Sequence, residues 1–182
     1  MPLHTLPRHS RKKAVVDFVP KERSGPKSNE PVPTAIFHGV KQKCSEDKLK
    51  LQKQIDKKKI NNRVFLKGYT KKINSYMKNA EAFILSSLWE DPGFVLIEAA
   101  MNNLFIISSN CKNGPTEFLN DGEGGILFES DEKNALFDAF NSFLEIRSSQ
   151  IYLSKIKVAK KNCKKYSLLS HHVILISRIL RS

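Results

Sequence analysis

Two acids eight positions apart are the residues best equipped to do chemistry in this chain. Glu90 and Glu98 frame the stretch Ser86-Ser87-Leu88-Trp89-Glu90-Asp91-Pro92-Gly93-Phe94-Val95-Leu96-Ile97-Glu98-Ala99. It reads as the end of a buried strand, a turn through Pro92 and Gly93, and the start of a helix. Proline suits a first helical turn, where its missing N–H would have no partner. Glycine removes a side chain where a ligand could approach the backbone. The unpaired N–H groups and positive end of such a helix form a seat for phosphate or sugar hydroxyls. Glu90 stands before the helix and Glu98 more than a turn inside it, so two carboxylates flank one ligand-sized space. Carboxylates accept hydrogen bonds well from vicinal hydroxyl pairs, such as those of ribose or a hexose. Without the surrounding motif, both acids would read as ordinary surface residues of a strand–helix unit.

The elements that must position this stretch alternate. Short apolar runs at Thr34 to Gly39, Arg63 to Leu66, Ala82 to Leu85, Leu104 to Ser108 and Gly125 to Phe128 predict strands. Between them, helices are expected from Ser45-Glu46-Asp47 to the residues before Asn61, over 71–79, over 93–102 and after Gly114-Pro115. Ser130-Asp131-Glu132 predicts the cap of a further helix, with Leu136, Phe137, Phe140, Phe143 and Leu144 spaced to face a core. Ile151 to Leu180 reads as two helices broken near Tyr166-Ser167. Wholly apolar strands alternating with helices predict a parallel sheet covered on both faces. Such sheets bind ligands beyond the carboxyl ends of their strands, which here follow Leu85, Ser108 and Phe128. Residues 1–33 hold Pro2, Pro7, Pro20, Pro26, Pro31 and Pro33 among basic and polar residues. They are expected to form a poorly ordered arm, in which only residues 14–19 could make a strand. Residues 34–182 form the domain.

Composition sets outer limits. A chain of 182 residues, 40% hydrophobic, suits one domain. No run approaches the ~20 apolar residues of a membrane-spanning helix, and the opening residues lack a secretion signal, so a cytoplasmic location is expected. Cys44, Cys111 and Cys163 offer neither a disulfide framework nor a metal knuckle. The net charge of +13 is unevenly spread: residues 79–146 carry 2 basic and 12 acidic side chains, and residues 147–182 carry 9 basic and none acidic. Basic flanks attract phosphates, whether on nucleotides, anionic lipids or nucleic acid. Aromatic residues do not interleave with the basic runs, which argues against sequence-specific nucleic-acid binding. A peripheral contact at the inner face of a membrane fits the charge.

The Glu90–Glu98 segment resembles the E-x(7)-E signature of the group 1 retaining glycosyltransferases, which have the GT-B fold of two Rossmann-like domains. The resemblance extends over about residues 34–180. The family's V-F-L-x-G strand matches Val64 to Gly68, its Y-x-x-A-x-x-F-I-L-x-S run matches Tyr76 to Ser86, its G-P-x-E matches Gly114 to Glu117, and its G-x-x-G-x-L-F turn matches Gly122 to Phe128. The resemblance implies an α/β, Rossmann-like parallel sheet forming the carboxyl-terminal, donor-binding half of GT-B. It implies that Glu90 acts at the donor sugar, with Asp91, Pro92, Gly93, Phe94 and Val95 around the sugar and pyrophosphate. Glu98 would hold the ribose hydroxyls and Tyr69 would lie near the base. No metal or other cofactor is expected; the substrate is a nucleotide sugar, and the acceptor a glycan or a lipid-linked sugar. The family's opening strand, turn and basic pair find no match in residues 1–33, where Lys12, Lys13, Lys21 and Arg23 lack that setting. The first strand and helix are therefore expected to be missing or replaced. A separate amino-terminal domain would be needed for transfer. The alternative is a catalytically inactive fragment serving as a basic membrane- or partner-binding module.

Overall fold

The computed structural model describes residues 16–20, 35–38, 45–68, 73–90, 94–111 and 114–166, with side chains for 48–67, 73–90, 94–111 and 114–166. Six strands form one sheet: β1 Val16–Pro20, β2 Ala35–His38, β3 Val64–Gly68, β4 Ala80–Leu85, β5 Phe105–Ser109 and β6 Ile126–Phe128. Their order is β3-β2-β1-β4-β5-β6. The pairs β2–β3, β4–β5 and β5–β6 are parallel, as the strand–helix alternation predicts. The intervening helices are α1 Ser45–Lys57, α2 Ile73–Lys78, α3 Phe94–Met101 and α4 Pro115–Phe118, followed by α5 Ala135–Ile146, α6 Gln150–Asn162 and a 3-10 turn Cys163–Tyr166.

The sheet is not parallel throughout. β1 lies at its centre and pairs antiparallel with both β2 and β4. Antiparallel neighbours need no crossover helix between them, so this strand can join the sheet without the strand–helix unit that opens the family pattern. The apolar stretch at residues 16–19 is thus an element of the sheet.

The core divides on the two faces of β4 and β5. Phe83, Leu85 and Ile106 pack with Met77, Leu96, Ala99, Ala100, Leu104, Phe118, Leu119 and Ala159 on one face. Ala82, Ile84, Phe105 and Ile107 pack with Ala139 and Phe143 on the other. Successive strand residues point to opposite faces, so a strand sandwiched between helices is apolar at most positions; all six residues of β4 and all five of β5 are buried, Glu81, Ser108 and Ser109 being the polar ones. Phe105 stacks on Tyr152 at 5.3 Å between ring centroids and meets Phe143 at 5.2 Å.

The last helices correct two sequence-based expectations. Helix α5 begins at Ala135 behind Asn134, which holds a left-handed conformation (φ 73°) and makes no side-chain cap bond. Ser130 therefore does not cap it; residues 131–134 form turns instead. Of the five apolar residues expected to face the core, Phe143 is buried and Leu136 and Phe140 pack partly against it, but Phe137 and Leu144 are exposed. Positions 136, 140 and 143 recur at helical spacing, whereas 137 and 144 lie one residue round, about 100° away on the wheel. Helix α6 carries a side-chain cap, with the Tyr152 N–H donating to Ser149 Oγ at 3.2 Å.

Two contacts secure the edges. Glu81 at the start of β4 is 8% exposed and accepts from Arg147 Nε at 2.7 Å, while its Oε2 is buried with no partner among the described residues. Lys155 of α6 donates to the carbonyls of Gly122 (2.5 Å) and Gly125 (3.1 Å), holding the loop that leads into β6. Burial lowers the pKa of this amine, and the Glu123 charge acts in the opposite sense. A Cβ on Gly125 would meet the Ile106 backbone oxygen at 2.5 Å. Gly125→Ala should therefore destabilise the fold by about 1–3 kcal/mol through overpacking against backbone, seen as a lower denaturation midpoint. Arg147→Ala, which strands Glu81, should cost about 2–4 kcal/mol, because removing one partner leaves a buried charge uncompensated; urea unfolding checks both.

Candidate functional site

Strand β4 ends at Leu85, β5 at Ser109 and β6 at Phe128, and these three carboxyl ends lie side by side because the pairs are parallel. The chain leaving β4 passes through Ser86 and Ser87, exposes Leu88 and Trp89, and reaches Glu90, which is half-buried. Trp89 is 43% exposed. Helix α3 opens at Phe94. Its inner face, Leu96, Ala99 and Ala100, packs on the sheet. Phe94, Glu98 and Met101 recur at spacings of four and three on the opposite, exposed face. Phe94 is 62% exposed, so the described residues leave the opening of the helix uncovered. Val95 is half-buried beside the core.

Of the residues expected to form the site, the structure thus sets Glu90 at the carboxyl end of β4, Phe94 and Val95 in the first turn of α3, and Glu98 one turn further on. Tyr69, Asp91, Pro92 and Gly93 lie outside the described residues. Glu117 sits exposed on α4, close enough to Tyr166 for its charge to raise that phenol's pKa after burial has done so. Among the described residues, no three His, Cys, Asp or Glu side chains come together in a way that could hold a metal ion, and no helix is long and apolar enough to cross a membrane.

The surroundings of Glu90 were not visible as a unit in the sequence. Ser87 Oγ donates to Glu90 Oε1. Ser109 Oγ, at the end of β5, donates to the Ser87 carbonyl at 2.6 Å. Cys111, buried, lies close enough for the Ser109 hydroxyl and the Glu90 carboxylate to act on its thiol. Ser109 and Cys111 lie about twenty residues beyond Glu90, so only strand pairing brings them there. The one sequence signal is that two apolar runs, Ala82 to Leu85 and Leu104 to Ile107, each lead into a serine pair, Ser86-Ser87 and Ser108-Ser109. Next to them, Asn110 N–H donates to the Phe128 carbonyl at 2.9 Å, and its side-chain amide to Glu129 Oε1 at 2.5 Å, closing the gap to β6.

Compared with known proteins, residues 23–164 match the family described as "Glycosyl transferases group 1". The chain is 43% identical over 74 residues to the uncharacterized glycosyltransferase MJ1059 of Methanocaldococcus jannaschii, covering 41% of this chain and 18% of that protein. It is 30% identical over 89 residues to the poly(ribitol-phosphate) alpha-N-acetylglucosaminyltransferase of Staphylococcus aureus, covering 49% of this chain and 18% of the relative. A crystal structure of a Staphylococcus aureus TarM variant in complex with Fondaparinux, alpha-GlcNAc-glycerol and UDP superimposes with a TM-score of 0.59 at 27% identity, over 68% of this chain and 25% of that one. The chain therefore spans a minor part of each protein's length. Its fold is that of the carboxyl-terminal, Rossmann-like half of GT-B glycosyltransferases.

Burial raises the pKa of the Cys111 thiol, and the Glu90 charge adds to the rise, while the Ser109 hydroxyl and the backbone N–H groups oppose it. A thiol with a raised pKa holds its proton further into the alkaline range, so less thiolate is present at a given pH. Iodoacetamide labelling followed by peptide mass spectrometry should show Cys111 reacting more slowly at pH 8 in the folded chain than in urea. Folded-state stability contributed by the protonated thiol should be present below its ordinary pKa and lost as pH rises through the raised value.

Proposed function

The chain belongs to the group 1 glycosyl transferases, and from that premise we propose that it is the donor-binding half of an enzyme that transfers a hexose from a nucleotide sugar to a glycan or lipid-linked acceptor, with retention of anomeric configuration. The observation that carries this reading is the placing of two acids around one helix opening. Glu90 stands at the carboxyl end of β4 and Glu98 on the exposed face of α3, at the sheet end where such folds hold their ligands. In this reading Glu90 contacts the donor sugar, Glu98 accepts from the ribose hydroxyls, and the first turn of α3 faces the pyrophosphate, whose charge the helix end offsets. Val95 lines the pocket and Tyr69 lies beside the base. The chemistry reads as metal-free, with protein groups stabilising the leaving diphosphate.

UDP is the nucleotide we favour, because the TarM structure that resembles this chain holds UDP. Acceptors carrying phosphate are favoured by the printed activities of the relatives, which include poly(ribitol-phosphate) and poly(glycerol-phosphate) transferases and a diphospho-undecaprenol-dependent one. The basic flanks suit such an acceptor or the cytoplasmic membrane surface that would carry it. Leu88, Trp89 and Phe94 stand exposed around Glu90, as expected of a surface that an amino-terminal domain closes over to exclude water from the donor.

Calorimetric titration with UDP-, GDP- and ADP-glucose and UDP-N-acetylglucosamine should show binding by at least one, weakened about tenfold or more by Glu98→Ala, the loss of a charged acceptor facing two hydroxyls. Silence from all four ligands would remove the reading.

A further inference from the structure

A carboxylate on a loop has several rotamers, and only some present it to a ligand. Glu90 is half-buried and its Oε1 is already engaged by Ser87 Oγ. Ser87 is 1% exposed and Ser109 is fully buried, so neither hydroxyl can exchange its partner for solvent. Ser87 is held in turn: its carbonyl accepts from Ser109 Oγ at 2.6 Å, across the gap between two neighbouring strand ends. Cys111, also buried, lies near the Glu90 carboxylate. The direction of bonding is therefore continuous, from the end of β5 to the loop after β4 to the carboxylate.

We propose that Ser87 is a positioning residue for Glu90, with Ser109 as its support: by holding Oε1 from inside the protein, Ser87 orients the carboxylate so that Oε2 is the oxygen offered to the donor sugar. The proposal rests on the reading above that Glu90 touches the sugar. Ser87 itself touches no ligand; it acts through Glu90. Its removal should therefore cost affinity for the sugar and not for the nucleotide. A role confined to packing predicts otherwise, since a loosened loop after β4 would weaken every ligand alike and lower the melting temperature.

The experiment is a double-mutant cycle on the full 182-residue chain, with Ser87→Ala, Glu90→Ala and the pair, titrated with UDP-N-acetylglucosamine and with free UDP. Ser87→Ala should weaken the sugar nucleotide about tenfold, the value of a lost hydrogen bond to a charged group, and UDP less than about twofold. In the Glu90→Ala background the same change should add nothing. If alanine prevents folding, Ser87→Cys, close in size but a weaker donor, should give the same selective loss in smaller measure. Equal weakening of both ligands, an undiminished Ser87 effect without Glu90, or an unchanged affinity for the sugar nucleotide would each overturn the proposal. A wild-type chain that binds neither ligand would instead overturn the donor-binding reading, and the proposal with it.

Discussion

Everything at the candidate site depends on the parallel pairing of β4 with β5. Ala82, Phe83, Ile84 and Leu85 lie opposite Phe105, Ile106, Ile107 and Ser108 in unbroken register, and both strands are buried along their whole length. A one-residue slip would turn Phe83 and Leu85 out of one core and into the other. It would also move Ser109 away from the carbonyl of Ser87. The hydrophobic effect that sets the register thus also sets which polar groups meet where the strands end. No separate device is needed to bring a hydroxyl on β5 to the loop that carries Glu90.

Much of this was legible before the structure. The five apolar runs became β2 to β6 within two residues at each boundary, and a strand ends at Leu85 and a helix opens at Phe94, as expected of that segment. Local signals suffice there, because an apolar run of four to six residues between polar turns has few other uses in an alternating chain. What escaped were features set by contacts distant in sequence. The central, antiparallel place of β1 follows from pairing partners at residues 35–38 and 80–85, which no local pattern in residues 16–20 records. The cluster of Ser87, Glu90, Ser109 and Cys111 assembles across some twenty residues. Phe137 and Leu144 were misread because spacing alone reports that residues share a side of a helix, not how wide the buried stripe is.

The two ends of β4 show why position, more than residue type, decides what an acid does. Glu81 and Glu90 flank the same strand, and each carboxylate accepts one strong bond through Oε1, from Arg147 and from Ser87 respectively. At the amino end Glu81 is shut in beneath the turn that joins α5 to α6, and its charge is matched by a guanidinium. A ligand has no approach to it, and its unbonded Oε2 is a cost that the fold carries. At the carboxyl end, among the described residues, the partner of Glu90 is the neutral Ser87 hydroxyl, which orients the carboxylate. The chain there leaves the sheet and leads towards a helix whose opening is exposed. A parallel sheet gathers loop ends and helix openings on that side alone. Similar carboxylates therefore become a buried strut in one place and, in the other, an oriented group at the end of the sheet where open α/β folds hold their ligands.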